Sequence, residues 1–340
     1  MKACLKILWV MVVLLGLVAP VWAYEVIVQY DQDETIAWLK AENWWGEENR
    51  GEQLQVPRIM ITGISERWQK NAANMPVPMK KEAFYRLILP LAMHANAMVL
   101  DRRERLKGMD AVLADGGKLS AEDDTWLREI AVLLRIAKRE KIDRVTDPAD
   151  LRQIIDKALY KMDVIPAGMV LGQAAYESGY GTSRFAAKGN ALFGQWTYGG
   201  KGLVPEQQRK ELGDHRIASY EWPFDSVRGY FINLSSHPAY EEFRRLRADL
   251  KAANKPLSSM KLVEGLKSYS ERGQEYVDTL KGIIRVNHLD ITDNAVLRDE
   301  PMRFLVGAPD KATAEDLRKE IEAMRKSGKI DEIVERMRLE

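Results

Sequence analysis

Hydrophobic positions recur at helical spacing over most of this chain of 340 residues. The first long stripe starts near Val77 and has apolar residues three and four positions apart. Pro90 lies inside the stripe and predicts a kink. The charged run DRRERLK extends the stripe, and we interpret it as a solvated helix end. The apolar members are Phe84, Leu87, Ile88, Leu91, Ala95 and Met98.

Start signals predict two further helices before residue 165. Ser120 and Asp123 are typical of a capping pair at a helix N-terminus, and Asp147 precedes a proline at the start of DPADLRQIIDKALYKM. In contrast, residues 24–30 (YEVIVQY) alternate as in a strand, and AENWWGEENRGEQ is polar and irregular, which predicts a loop. Helical patterns resume after residue 220. The patterns therefore predict a mainly α protein.

One acidic residue falls on the inward face of an otherwise apolar helix. Pro166 suits the first helical position and Gly179 the position just past the end. Between them Val170, Ala174 and Glu177 fall at i, i+4 and i+7. A carboxylate on that face is costly unless it is paired, and desolvation raises its pKa. A raised pKa suits a general acid that works near neutral pH.

An internal ion pair, for example with Arg184, is the alternative explanation for Glu177. The neighbouring residues favour a catalytic role for Glu177 over an ion pair. Glycines close to it predict tight backbone turns, and several aromatic rings are near it in the sequence. A carboxylic acid beside aromatic platforms is typical of a groove that cleaves sugars. These neighbours are Gly179, Tyr180, Gly181, Gly189, Asn190, Phe193, Trp196 and Tyr198.

Three motifs follow one another along the chain. The first, GQAAYESGYGTSRFAAKGNALFGQW, resembles AQAALESGWG followed by NNLFG, the signature of glycoside hydrolase family 73, the N-acetylglucosaminidases. Downstream, Tyr220, Ser226 and Tyr230 keep the spacing of FR-x-Y-x5-S-x3-Y. In KSYSERGQEYVDTLKGII, Tyr269 and Tyr276 match the tyrosines of Y-A-T-D-P-x-Y-A-x-K-L, although this chain lacks the Asp-Pro pair and has one extra residue between the tyrosines.

The resemblance covers roughly residues 57–290 and is more similar to the Bax group within this superfamily. NALFGQW, VPRIMITGISERW and FYRLILPLAMHANAMVLDRRERL carry that similarity. It implies a lysozyme-like α+β catalytic domain, with a small strand-rich lobe between Tyr198 and Tyr220 over the cleft, preceded by a helical N-terminal region. The function it implies is that of an exported endo-β-N-acetylglucosaminidase, which hydrolyses β-1,4 linkages in the glycan strands of peptidoglycan with Glu177 as general acid.

The resemblance leaves the second catalytic group open. Family members often carry a glutamate as T-x-E in the lobe, and Glu206 in VPE is the nearest counterpart, without the threonine. Glu211 and Asp214 compete with it. A third possibility is that the N-acetyl sugar supplies its own acetamido oxygen. Tyr220 and Tyr276 are predicted as catalytic residues that, with Tyr269, hydrogen-bond that acetamido group or the oxocarbenium-like sugar. The alternative is that each is a core aromatic residue.

The remaining candidates are assigned to substrate binding. Asn190, Trp196, Tyr198 and Tyr269 are predicted to bind the glycan, whereas Phe193 is interpreted as a core residue. A lytic transglycosylase is one alternative function, because it also uses one glutamate near a helix end. A catalytically weak peptidoglycan-binding scaffold is the other, favoured by the missing Asp-Pro pair and the missing threonine.

The first 23 residues are typical of a cleaved secretory signal. They have a basic start, an apolar run interrupted by Gly16 and Pro20, and small residues at the end. The alternative is an uncleaved membrane anchor. Cys4, the single cysteine, lies in this leader, so a processed protein would contain no thiol. We therefore expect secretion across the inner membrane, into the periplasm.

Net charge and the absence of certain motifs argue against nucleic-acid binding, a metal site, a serine hydrolase and nucleotide binding. The 51 basic and 50 acidic residues become 49 and 50 without the leader's two lysines, a net charge of −1 that offers no bulk attraction to nucleic acid. The four histidines show no HExxH spacing, and neither a G-x-S-x-G elbow nor a glycine-rich phosphate loop is present. We predict no metal, nucleotide or other cofactor, and glycan strands as the partner.

The predicted organisation has four parts. Residues 1–23 form the signal peptide, 24–145 a mostly helical N-terminal region, 146–292 the catalytic domain and 293–340 a C-terminal helical hairpin. In the hairpin, Thr313 and Asp316 are predicted to cap the first helix, and Gly328 separates it from the second.

Overall fold

The computed structural model describes residues 24–46, 53–197, 202–204 and 216–327. The predicted leader, Tyr198, the acidic candidates 206, 211 and 214, and the second helix of the predicted hairpin lie outside these residues. In the described part the protein is mainly helical with small sheets, as the hydrophobic pattern predicted.

The helices are α1 (Gln32–Ala41), α2 (Glu66–Asn71), α3 (Val77–Ala114), α4 (Ala121–Leu133), α5 (Arg139–Ile142), α6 (Pro148–Lys161), α7 (Ala167–Ser178), α8 (Arg184–Gly189), α9 (Pro223–Ser236), α10 (Glu241–Ala252), α11 (Ser259–Leu262), α12 (Gln274–Val286) and α13 (Lys311–Lys326). Short 3-10 helices cover Pro238–Tyr240, Val263–Tyr269 and Leu289–Asn294. The strands are β1 (Tyr24–Gln29), β2 (Gln55–Val56), β3 (Ile59–Ile61), β4 (Trp196–Thr197), β5 (Gly202–Leu203), β6 (Arg216–Ala218), β7 (Val296–Leu297) and β8 (Met302–Gly307).

The residues that were predicted to start α4 and α6 cap these helices in the structure. Ser120 accepts a hydrogen bond from the Asp123 amide at the start of α4, and Asp147 accepts one from the Ala149 amide at the start of α6. These caps satisfy amides that would otherwise lack a partner in the first turn. The long helix α3 continues through Pro90 and includes the charged run that was predicted to extend it.

Part of the C-terminal region, which was predicted as a helical hairpin over residues 293–340, forms strands. Two strands, β7 and β8, precede its helix, and β8 lies between β1 and β3 in a parallel sheet, with Tyr24 opposite Met302. The strands were missed because their partners are near the other end of the chain. Helix α13 is present, but its cap is Asp310, which accepts from the Thr313 amide at 2.8 Å, and not the predicted pair Thr313 and Asp316.

The segment after α1 was predicted to be a polar loop, but it contributes to the core. Trp44 is fully buried, and its indole N–H donates to the Arg86 carbonyl at 2.8 Å. The guanidinium groups of Arg86 and Arg298 lie 4.7 and 5.9 Å from its ring centroid, within the range of cation–π attraction. Large aromatic residues in a polar run can therefore anchor a loop to the interior.

One hydrophobic cluster extends over the predicted regions after the leader. It includes Leu39 of α1, Ile88 of α3, Val170 of α7, Leu280 of α12 and Leu305 of β8. Helix α7 lies inside this cluster, with residues 167–175 all buried. The position of α7 places its last turn, which carries Glu177, on a rigid support. The predicted domain boundaries stay a prediction.

Helix α3 also passes a length and hydropathy test for a membrane span. It has 38 residues, and 56% of its most apolar window is buried inside the protein. The buried side chains of that window pack in the hydrophobic cluster, as those of a core helix do.

Candidate active site

Glu177 lies in the last turn of α7, which ends at a tight turn. Gly179 adopts the left-handed conformation with φ +58° and terminates the helix, as the sequence predicted. The buried Ser178 hydroxyl donates to the Ala174 carbonyl and accepts from the Gly181 amide at 2.8 Å, which holds the turn. The half-buried carboxylate of Glu177 is therefore presented from a fixed backbone.

Tyr276 is the hydrogen-bond partner of Glu177. Its hydroxyl donates to Glu177 Oε1 at 2.7 Å. Burial raises the pKa of Glu177, and the hydrogen bond from Tyr276 offsets part of that rise. Among the described residues Glu177 is hydrogen-bonded to Tyr276 and makes no ion pair. The guanidinium of Arg184 donates instead to the Val204 carbonyl at 2.8 Å. The alternative explanation, an ion pair between Glu177 and Arg184, does not hold for these residues.

The polar contacts continue behind Tyr276 into the core. Gln173, one turn before Glu177 on α7, donates from Nε2 to the Tyr276 hydroxyl at 2.8 Å. On its other side Gln173 Oε1 accepts from the hydroxyl of Tyr230 on α9. Both Gln173 and Tyr230 have no exposed surface. A chain of three hydrogen bonds thus ends on the candidate acid.

Gly194 lies beside the other oxygen of the carboxylate. Its φ is +60°, and a Cβ at this position would lie 3.6 Å from Glu177 Oε2. The loop that contains it is fixed by the buried hydroxyl of Ser226, which accepts from the Leu192 amide at 3.0 Å. The two oxygens of Glu177 therefore differ: Oε1 is bonded to Tyr276, and Oε2 faces this loop.

Asn190 holds three segments together. It ends α8 in the left-handed conformation. Its Oδ1 accepts from the Ile64 amide at 2.9 Å, and its Nδ2 donates to the carbonyls of Tyr220 at 3.2 Å and Glu221 at 2.8 Å. Its side chain thus fixes the backbone around the site, and its predicted contact with substrate stays a prediction.

The aromatic residues form a stacked group beside the carboxylate. The ring of Tyr269 is parallel to that of Tyr276, with centroids 5.8 Å apart, and its hydroxyl donates to the Phe193 carbonyl at 2.9 Å. Phe193 stacks on Tyr230 at 4.2 Å and is almost fully buried. The prediction of Phe193 as a core residue is confirmed, and the predicted glycan contact of Tyr269 is untested.

Tyr220 lies just after β6 and points toward the loop that follows α8. Its hydroxyl donates to Gln195 Oε1 at 2.7 Å. Burial, together with the negative charge of Asp225, raises the pKa of Tyr220 to about 12. Gly229 on α9 makes this approach possible, since a Cβ there would lie 3.1 Å from the Tyr220 hydroxyl. Tyr220 is therefore a neutral hydrogen-bonding group.

The predicted strand-rich lobe is present as a small antiparallel sheet in the order β4-β6-β5. Trp196 of β4 pairs with Ile217 of β6 and has half of its surface exposed. An exposed indole on a sheet is a platform on which a sugar ring can stack. Tyr198 and Glu206, which were assigned to the same lobe, lie outside the described residues.

Three polar residues near the acid were not predicted as site residues: Gln173, Tyr230 and Gln195. Two signals were available, because Gln173 lies four residues before Glu177 on the same helix face and Tyr230 keeps the spacing of the second motif. Gln195 gave no signal apart from its position next to the aromatic residues. Among the described residues, no group of three or more His, Cys, Asp or Glu side chains is placed to hold a metal ion.

An apolar cavity of about 150 Å³ is lined in part by the turn after α7. Gly181, Trp68 and Phe84 contribute to its lining, together with residues of α1 and β8. Glu177 does not line it, so this cavity is separate from the carboxylate.

The site thus has a half-buried acid with a raised pKa on a mainly helical frame beside a small sheet. A family model described as mannosyl-glycoprotein endo-beta-N-acetylglucosaminidase matches residues 152–289, which include Glu177 and Tyr276. The chain is also similar to Protein bax of Escherichia coli (strain K12), with 32% identity over 209 residues that cover 61% of this chain and 70% of the relative.

The chain therefore belongs to the glucosaminidase family, as its three motifs predicted, and the family implies a glycoside hydrolase. No solved structure matches the chain significantly. The mainly helical class is confirmed, and the lysozyme-like fold stays a prediction.

Proposed function

We propose that this protein is an exported endo-β-N-acetylglucosaminidase that hydrolyses β-1,4 linkages in the glycan strands of peptidoglycan. The observation that carries the proposal is the environment of Glu177. Its carboxyl group is half-buried, its pKa is raised by burial, and it makes no ion pair among the described residues. Such a carboxyl group keeps its proton to a higher pH than an exposed glutamate does, and it can give that proton to a departing oxygen.

The first step is proton transfer from Glu177 to the glycosidic oxygen, while the bond from that oxygen to the anomeric carbon breaks. Oε2 is the better placed atom, because Oε1 accepts from Tyr276 and Oε2 faces Gly194, which has no side chain. The positive charge that develops on the sugar ring is then stabilised by the new carboxylate of Glu177.

We assign the second step to Glu206 as the general base that activates water, which would invert the anomeric configuration. The competing route uses the acetamido oxygen of the substrate, with Tyr220 or Tyr276 orienting that group, and retains the configuration. NMR of the first product formed distinguishes the two routes. Under our assignment Glu206→Ala abolishes turnover, whereas a retained anomer with an active Glu206→Ala variant would exclude Glu206 as the base.

Mass spectrometry of muropeptides released from purified peptidoglycan tests the main proposal. A hydrolase of this specificity leaves a reducing N-acetylglucosamine end. An anhydro-muramic end would identify a lytic transglycosylase instead, and binding without any release would identify a scaffold. Glu177→Gln, measured in parallel, shows whether a product depends on this site.

Export is a separate part of the proposal. We expect the mature protein to begin at Tyr24 and to contain no thiol, since Cys4 is the single cysteine. The intact mass of protein from the native host measures this directly. A leader that remains attached in the membrane fraction would favour an anchor.

A further inference from the structure

The hydrogen bonds behind Glu177 run in one direction. Tyr230 donates to Gln173 Oε1, Gln173 Nε2 donates to Tyr276, and Tyr276 donates to Glu177 Oε1. The residues come from three helices, because Gln173 and Glu177 lie on α7, Tyr230 on α9 and Tyr276 on α12. The chain therefore joins the acid to the centre of the protein.

The direction follows from counting protons. A tyrosine hydroxyl has one proton, and a glutamine amide has a donor end and an acceptor end. Tyr230 is fully buried, and in the described part of the protein Gln173 Oε1 is the one hydrogen-bond acceptor for its hydroxyl. If the amide of Gln173 were reversed, the Tyr230 proton would be buried without a partner, which is costly.

The orientation of Gln173 then decides what Tyr276 does. Because Nε2 of Gln173 occupies the acceptor side of the Tyr276 hydroxyl, the single proton of Tyr276 is directed to Glu177. In a protonated carboxyl group the carbonyl oxygen is the better acceptor, so an Oε1 that accepts from Tyr276 favours the proton on Oε2.

We propose that Gln173 and Tyr230 are positioning residues for catalysis, which direct the Tyr276 proton to Oε1 of Glu177 and so favour Oε2 as the oxygen that carries the transferable proton. This inference rests on the proposed role of Glu177 as general acid. In the reaction the Oε2 proton passes to the glycosidic oxygen, the electron pair of the broken bond stays on that oxygen, and Glu177 becomes a carboxylate.

Tyr276 remains a donor throughout this step. Its burial and the neighbouring charge of Glu177 raise the pKa of Tyr276 far above its usual value, so it does not lose its proton. Gly194 places no side chain beside Oε2, where a Cβ would lie 3.6 Å from that oxygen. The two oxygens therefore keep different roles before and after the transfer.

Two substitutions change the direction of the chain. Tyr230→Phe removes the proton that fixes the amide of Gln173, so the reversed chain, with Glu177 protonated on Oε1, becomes accessible. Gln173→Glu goes further, because the introduced carboxylate accepts from both tyrosines and withdraws the Tyr276 proton from Glu177. Tyr240→Phe is the matched control, since Tyr240 is also buried, packs on Tyr269 at 5.7 Å and is not part of the chain.

The first measurement is the pKa of Glu177 in the resting protein, from the carboxyl carbon signal of labelled glutamate, assigned by its loss in Glu177→Gln. We expect Gln173→Glu to raise this pKa by about one to two units, the value of one hydrogen bond to a charged group. Tyr230→Phe should raise it by less, and Tyr240→Phe should leave it unchanged.

The second measurement is the pH–rate profile on purified cell walls. In Tyr230→Phe the alkaline limb should move to higher pH while the maximal rate falls, since part of the protonated population holds its proton on the wrong oxygen. If Tyr230 had only a structural role, Tyr230→Phe would lower the melting temperature without moving the alkaline limb of the pH–rate profile. Glu177 pKa values that are equal in wild type, Tyr230→Phe and Gln173→Glu would overturn the inference.

The two measurements separate this inference from the proposed function. If the wild-type protein releases nothing from peptidoglycan, the proposed function fails, while the carboxyl titration still tests the chain. Should Gln173→Glu fail to fold, Tyr230→Phe, which removes one hydroxyl, still decides the outcome.

Discussion

Replacing Glu177 by glutamine should separate the chemistry of this residue from its contribution to stability. The amide has nearly the same shape, and its oxygen can still accept from the Tyr276 hydroxyl, which lies 2.7 Å from Oε1. The amide has no proton to give to a departing oxygen. Loss of a general acid lowers the rate about 10² to 10⁴-fold, which corresponds to about 2.7 to 5.4 kcal/mol in the activation barrier.

The same substitution should not destabilise the fold. Because burial raises the pKa of Glu177, the folded protein holds this proton more tightly than the unfolded chain. That contribution is complete below the unfolded pKa and is lost as the pH rises through the folded value, by about 1.4 kcal/mol for each pKa unit of difference. Glutamine does not titrate, so Glu177→Gln should melt at or above the wild-type temperature at pH 8, and the two should converge near pH 4.

Clearing of cell walls in a gel overlay and thermal melts at the two pH values measure both effects. Glu275→Gln is a suitable control, since Glu275 is an exposed neighbour of Tyr276 that pairs with Arg272. The control should keep its activity. A Glu177→Gln variant that still clears walls, or one that melts well below wild type at pH 8, would refute the reasoning.

Three further predictions concern the surroundings of the acid. Tyr276→Phe removes the hydrogen bond that lowers the pKa of Glu177, so the alkaline limb of the pH–rate profile should move to higher pH; an unmoved limb would contradict this. Gly179→Ala places a side chain at φ +58°, with its Cβ 3.3 Å from Thr182 Oγ1. It should lower the free energy of unfolding in urea by about 1 to 2 kcal/mol. An unchanged midpoint would show that the substitution does not strain the turn. Trp196→Ala should keep the melting temperature, because the indole is half exposed, and should weaken cosedimentation with purified cell walls; equal binding would exclude Trp196 as a glycan platform.

Local signals in the sequence were sufficient for the helix that presents the acid. Gly179 takes the left-handed conformation that ends α7, and Ser120 and Asp147 cap the helices that they were predicted to cap. These features depend on a few neighbouring residues, so they can be predicted from a short stretch of sequence. The presence of Glu177 on an inward face follows from the same local periodicity.

The tertiary structure decided which groups meet. Tyr276 reaches Glu177 from 99 positions away, and β8 joins β1 from the other end of the chain. Neither contact has a local signature, because parallel pairing and hydrogen bonds between helices depend on how distant elements pack. For the same reason the direction of the Tyr230–Gln173–Tyr276 chain, and with it the difference between the two oxygens of the acid, exists only in the folded protein.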